Sequence, residues 1–152
     1  YYTDRFALLP NRAQGHSPSN RDGYRLNTAT LDLAGDGGLF SSLHDVIAWL
    51  RILDNPPPAF APAIRSMFTR AKLNSGESAE YGRGLMLKRF KGLEIVHHPG
   101  GLRGYRSDIL WIPAKKLGVA CLCNTSDIDA GRMTRQIAAL WLNLTEPPGV
   151  PV

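Results

Sequence analysis

The nine residues His97-His98-Pro99-Gly100-Gly101-Leu102-Arg103-Gly104-Tyr105 constrain this chain more than any other stretch, because three glycines and a proline stand between two apolar segments. Leu93 to Val96 reads as a strand and Ser107 to Ile112 as a second one. The glycines between them mark either a hairpin connection or main chain that a neighbour or ligand approaches closely. Strand alternation puts Leu93, Ile95 and His97 on one face and Glu94, Val96 and His98 on the other. At most one of the two histidines can therefore look into a site beside this strand.

Around this stretch the pattern is that of consecutive antiparallel strands. Met86 to Phe90 reads as a strand, Lys91-Gly92 as its turn and Leu93 to His98 as its partner. Arg106 to Ile112 and Leu117 to Asn124 follow, joined by Pro113-Ala114-Lys115-Lys116. Met133, Ile137, Leu140, Trp141 and Leu144 then recur at helical spacing, which predicts a last helix whose apolar stripe packs on one face of the sheet.

The first half reads differently. Tyr1 to Ala34 is broken by Pro10, Gly15, Pro18 and Gly23 and reads as a meandering cover. After the flexible Gly35 to Ser41, Ser42-Leu43-His44-Asp45 has the Ser-x-x-Asp form of a capping box. A helix then carries Leu43, Val46, Ile47, Leu50 and Leu53 on one stripe until Asn55 and three prolines stop it. A shorter helix fits Ala61 to Arg70, with Ile64, Met67 and Phe68 on one side, and Leu73 to Ser78 is a polar loop. The expected fold class is α/β of the α+β kind: about four antiparallel strands, a packed C-terminal helix and a helical, loop-rich first half. Residues 1–80, 81–145 and a proline-rich tail, 146–152, divide a single domain or part of one.

Composition narrows the function classes. With 43% apolar and 20% charged residues and no apolar run of membrane-spanning length, the chain reads as a globular domain with no membrane span. Its net charge of +5 comes from scattered rather than striped lysines and arginines, which argues against a nucleic-acid partner. Cys121 and Cys123 point to one face of an apolar strand, where a disulfide between them would be strained and each thiol acts as a small hydrophobe. A metal site built from His97, His98, His44 and His16 ranks last, since adjacent strand histidines point apart; no metal is expected.

Taken together, Asn11 to Gly15 (NRAQG), Gly35 to Ser42 (GDGGLFSS), Tyr81 to Gly84 (YGRG), the stretch HHPGGLRGYRSDILWIP and LGVACLCN carry a resemblance. In this order and spacing they resemble the C-terminal half of the serine beta-lactamase-like hydrolases: class C beta-lactamases, penicillin-binding proteins and related esterases. The resemblance covers roughly Arg5 to Leu144 and implies the beta-lactamase/transpeptidase-like fold. It also implies a parent that acts on a small-molecule acyl substrate through an acyl-enzyme, without a metal or organic cofactor, in a periplasmic or secreted setting. By resemblance His98-Pro99-Gly100 is the family's third motif, which lies along the substrate. His98, Gly100 and Gly101 are then its substrate and oxyanion residues, Gly101 offering the N–H, while Tyr81 and Tyr105 are candidate site-lining residues and His97 packs behind them.

Two departures from the family pattern matter. Pro99 stands where penicillin-recognising members carry threonine or serine, which removes a hydroxyl and a backbone donor and favours an esterase- or peptidase-like parent. In addition, no serine of the chain is followed three residues later by lysine, and neither Tyr-x-Asn nor Ser-x-Asn occurs, Tyr24-Arg25-Leu26-Asn27 being one residue too long. Without a nucleophile this chain alone is expected to be inactive. It then reads as a C-terminal fragment whose partner is the missing N-terminal part of the same fold, the chain starting with Tyr-Tyr and no signal peptide. The alternative is a non-catalytic module that binds a ligand or partner in the glycine-lined groove.

Overall fold

In the computed structural model, residues 8–21, 23–28, 35 and 37–144 are described. The proline-rich tail expected at 146–152 lies outside them. The elements run β1 (His16–Pro18), β2 (Tyr24–Leu26), α1 (Leu43–Asp54), α2 (Ala61–Met67), β3 (Met86–Phe90), β4 (Leu93–Leu102), β5 (Tyr105–Ile112), β6 (Leu117–Cys123) and α3 (Ala130–Trp141). β3 to β6 form one antiparallel sheet in sequence order, and β1 and β2 pair separately. Among the described residues no helix is long and apolar enough to cross a membrane.

Each hairpin follows from its turn. Lys91 and Gly92 take φ of 46° and 80°, the left-handed pair that closes a two-residue hairpin with the twist of its strands. β4 and β5 are closed by another two-residue turn, Arg103-Gly104, with Leu102 opposite Tyr105. Of the three glycines in the central stretch only Gly104 belongs to the connection. Gly100 and Gly101 belong to β4, which runs on to Leu102, and the turn comes after them.

The sheet is covered on both faces. Leu50 and Leu53 of α1, Ile64 of α2, and Leu85, Leu87, Val96 and Trp111 form one core cluster. α1 starts at the expected capping box: Ser42 Oγ accepts from the Asp45 N–H at 3.2 Å and the Asp45 carboxylate accepts from the Ser42 N–H at 3.4 Å. Of its expected stripe only Leu50 and Leu53 are buried, Leu43 and Ile47 being exposed. Gly118 of β6 lets α1 sit close, because a Cβ there would lie 3.2 Å from the Leu50 side chain.

On the opposite face α3 covers Ile95, Leu110, Ile112 and Val119. It does so through Ala130, Gly131, Thr134 and Ala138, not through the stripe of large residues the spacing predicts. Ile137, Leu140 and Trp141 are 44%, 78% and 75% exposed. The reason is close approach: small residues let the helix lie directly on the sheet, so the bulky ones turn outward.

Within the N-terminal segment, residues 8–21 and 23–28 form a two-strand hook rather than a meandering cover. Its main chain meets the β4–β5 turn and the end of β6: Asn27 O accepts from Gly104 N at 2.9 Å, Gly15 O accepts from Asn27 N at 2.7 Å, and Asn124 O accepts from His16 N at 2.9 Å, while the Asn124 side-chain amide donates to Gln14 O at 3.0 Å. A Cβ on Gly104 would lie 2.3 Å from the His16 nitrogen, so only glycine lets the two segments meet.

Candidate active site

β4 is longer than β3. Their last pair is Met86 with His97, so His98 to Leu102 extend past the end of β3 with β5 on one side only. Which backbone groups face the uncovered edge follows from the turns. A two-residue hairpin is closed by a hydrogen-bonded pair, and such pairs alternate along an antiparallel ladder. Leu102–Tyr105, Gly100–Ser107 and His98–Ile109 are therefore bonded to β5, while Pro99 and Gly101 turn their backbone groups outward. Counting from Phe90–Leu93 across the other hairpin gives the same parity. Pro99 has no N–H to lose and fits an outward position. By this parity Gly101 presents its N–H and C=O beyond the end of β3, and no loop or turn backbone among the described residues bonds them.

The side chains sort as the alternation requires. His97 is 6% exposed on the α3 face, with Nδ1 3.3 Å from Asp108 Oδ1. Asp108 and Thr134 are wholly buried, and the Thr134 hydroxyl bonds the other Asp108 oxygen, so one carboxylate ties β4, β5 and α3 together. His98 is on the opposite face, half-buried, with Nε2 3.2 Å from the Tyr81 hydroxyl. The structure thus brings Tyr81 and His98 together and keeps the two histidines apart.

Tyr105 has a different occupation. Its hydroxyl donates to Ala13 O at 3.0 Å, its ring would touch a Cβ on Gly15, and Phe40 packs edge-on against it at 6.3 Å. It fastens the N-terminal segment to the hairpin. Ser107, which the sequence reading did not single out, stands across from Gly100 with its Oγ 2.2 Å from where a Gly100 Cβ would be. The hydroxyl that Pro99 lacks is present here on the neighbouring strand, on the His98 face. Arg106 lies over Gly101, its Cδ 3.6 Å from the Cβ position, and its guanidinium donates to Arg103 O and Tyr105 O. Only the register, which pairs residues 100 with 107 and 101 with 106, reveals these neighbours.

The remaining sulfur and imidazole groups are structural in their contacts. Cys121 and Cys123 share the α3 face with Sγ atoms 3.4 Å apart, and Met133 Sδ is 3.9 Å from Cys121. Burial, then the Cys123 hydrogen bond and the nearby Asp108 charge, push the Cys121 thiol up to about 11. His16 Nδ1 is 3.3 Å from Asn124 O, and His44 is exposed in the first turn of α1.

Residues 3–140 match the Beta-lactamase family. The chain belongs to the beta-lactamase family. It is 32% identical over 116 residues to a D-aminopeptidase of Gluconobacter oxydans, covering 76% of this chain and 22% of that protein. To a D-aminopeptidase of Brucella anthropi it is 30% identical over 98 residues, 64% of this chain and 19% of the other. Among solved structures it superimposes on the octameric penicillin-binding protein homologue from Pyrococcus abyssi with a TM-score of 0.75 and 29% identity, over 86% of this chain and 31% of that one. A D-stereospecific amidohydrolase from Streptomyces shares the fold, with a TM-score of 0.61 and 20% identity over 94% of this chain and 43% of the other. The chain thus spans about a fifth of the matched D-aminopeptidases. Family and structural likeness together give the beta-lactamase/transpeptidase-like fold.

Proposed function

We propose that this chain is the C-terminal part of a serine hydrolase that cleaves amide or ester bonds through an acyl-enzyme, the nucleophile residing on polypeptide outside it. The observation that carries the reading is the uncovered stretch of β4, where the Gly101 N–H faces outward three residues along the strand from His98. A backbone donor fixed in a sheet stabilises an oxyanion without reorganising during the reaction. In this reading a serine oxygen from the remainder of the fold attacks the substrate carbonyl and gives up its proton to a neighbouring base. The carbonyl oxygen becomes an anion beside Gly101 N–H, and the C–N or C–O bond then breaks as the leaving group takes a proton. Water repeats the attack on the acyl-enzyme and releases the acid.

His98 and the Ser107 hydroxyl line the substrate on one face, and Gly100 between them keeps the strand surface low. The likeness to D-aminopeptidases and the Pro99 substitution favour an amide with an aminoacyl group over a beta-lactam. The outward stripe of Ile137, Leu140 and Trp141 supports the reading of a partial fold, because a large apolar surface on a helix calls for a cover. The missing N-terminal part of the fold is the proposed cover. Treating the purified chain with a fluorophosphonate probe and weighing the intact product tests the division of labour: an unmodified mass is expected, and a stoichiometric serine adduct would overturn it.

A further inference from the structure

The Tyr81-Gly82-Arg83-Gly84 loop has no part in the reaction outlined above, yet its construction holds one hydroxyl in place. A Cβ on Gly82 would lie 2.0 Å from Met67 O, so the loop presses its main chain against the end of α2. Tyr81 O accepts from Ala71 N at 2.8 Å, Leu85 O accepts from Gly82 N at 2.8 Å, and Tyr81 pairs with Met86 at the start of β3. The backbone of Tyr81 is thereby fixed from both sides. Its ring meets His98 end-on, with centroids 6.0 Å apart and planes at 66°, and its hydroxyl reaches Nε2 at 3.2 Å. Nδ1 of His98 has no partner among the described residues.

We propose that Tyr81 is a positioning residue whose hydroxyl donates to Nε2 of His98 and holds the neutral imidazole in its Nδ1–H tautomer. A phenol is a better donor than acceptor, and the unprotonated imidazole nitrogen is the stronger acceptor of the pair. The N–H offered to a substrate is then the one on Nδ1, beside the uncovered β4 edge. This assignment rests on His98 lining the substrate, but the tautomer itself can be measured in this chain without any turnover.

The test is a long-range proton–nitrogen correlation spectrum of the imidazoles of the ¹⁵N-labelled chain at about pH 8, where an ordinary histidine is neutral. His98→Asn assigns the signals. The expected result is a protonated Nδ1 and an unprotonated Nε2 on His98. In Tyr81→Phe the Nδ1–H to Nε2–H ratio should fall about three- to tenfold, the weight of one side-chain hydrogen bond. Unchanged His97 signals in that variant report an intact sheet. A wild-type His98 protonated on Nε2, or a Tyr81→Phe variant with an intact sheet and the same ratio, overturns the proposal. If the variant does not fold, the wild-type tautomer alone decides. A failed serine hydrolase reading would leave this spectrum as it is.

Discussion

Asp108 is a carboxylate with no exposure that is held by His97 on one oxygen and Thr134 on the other. Removing one donor leaves a buried anion short of a bond, which costs more than the bond itself contributes. Thr134→Val, nearly isosteric, should lower stability by about 2–4 kcal/mol in urea unfolding; a change below 0.5 would mean the carboxylate is satisfied otherwise. Nearby Cys121 is raised from 9.0 to about 11, chiefly by burial. The unfolded thiol ionises first as pH rises, so stability is unaffected near neutrality and falls from about pH 9 to about 11. Cys121→Ser should flatten that decline in pH-dependent unfolding. The opposition of His97 and His98 was legible from strand alternation alone. The Asp108 partner of His97 and the Thr134 hydroxyl that bonds the same carboxylate were not, because they come from other elements and nothing local marks them.

At the level of elements, the four-strand sheet was readable because each strand is apolar and each turn carries its own chemistry, Lys91-Gly92 above all. The length of β4 was not. Two glycines and a proline look like a break, yet Gly100 and Gly101 are in register with Ser107 and Arg106, and that continuation makes the uncovered edge. α3 misleads in the opposite sense: helical spacing locates an apolar stripe but does not say which face meets the sheet, and the small residues do. The two-strand N-terminal hook was missed because its bonds to Gly104 are made by main chain, which the sequence does not mark, and Asn124, which it also meets, lies about a hundred residues away. Its dependence on Gly104 is testable. Gly104→Ala drives a Cβ into backbone atoms of Gly15, His16 and Asn27, and should cost about 2–3 kcal/mol and speed hydrogen exchange at Asn27 and His16. Slow exchange in that variant would show that the hook does not rest on this contact.

For the whole molecule, family membership and a TM-score of 0.75 to a chain of which only 31% is matched are the ground for the central proposal, that this polypeptide supplies the substrate edge of a larger fold. The exposed face of α3 gives that claim a physical consequence. The isolated chain should associate with rising concentration in sedimentation velocity, and Leu140→Lys with Trp141→Lys should return it to a monomer; a monodisperse wild type would argue for a self-sufficient module. The most direct measurement is to read the source coding DNA upstream of the codon for Tyr1. An in-frame Ser-x-x-Lys followed by Tyr-x-Asn is the predicted result and makes this chain one part of a hydrolase. A start codon with a signal region immediately before Tyr1 would contradict the account, because no preceding polypeptide would remain to carry the nucleophile.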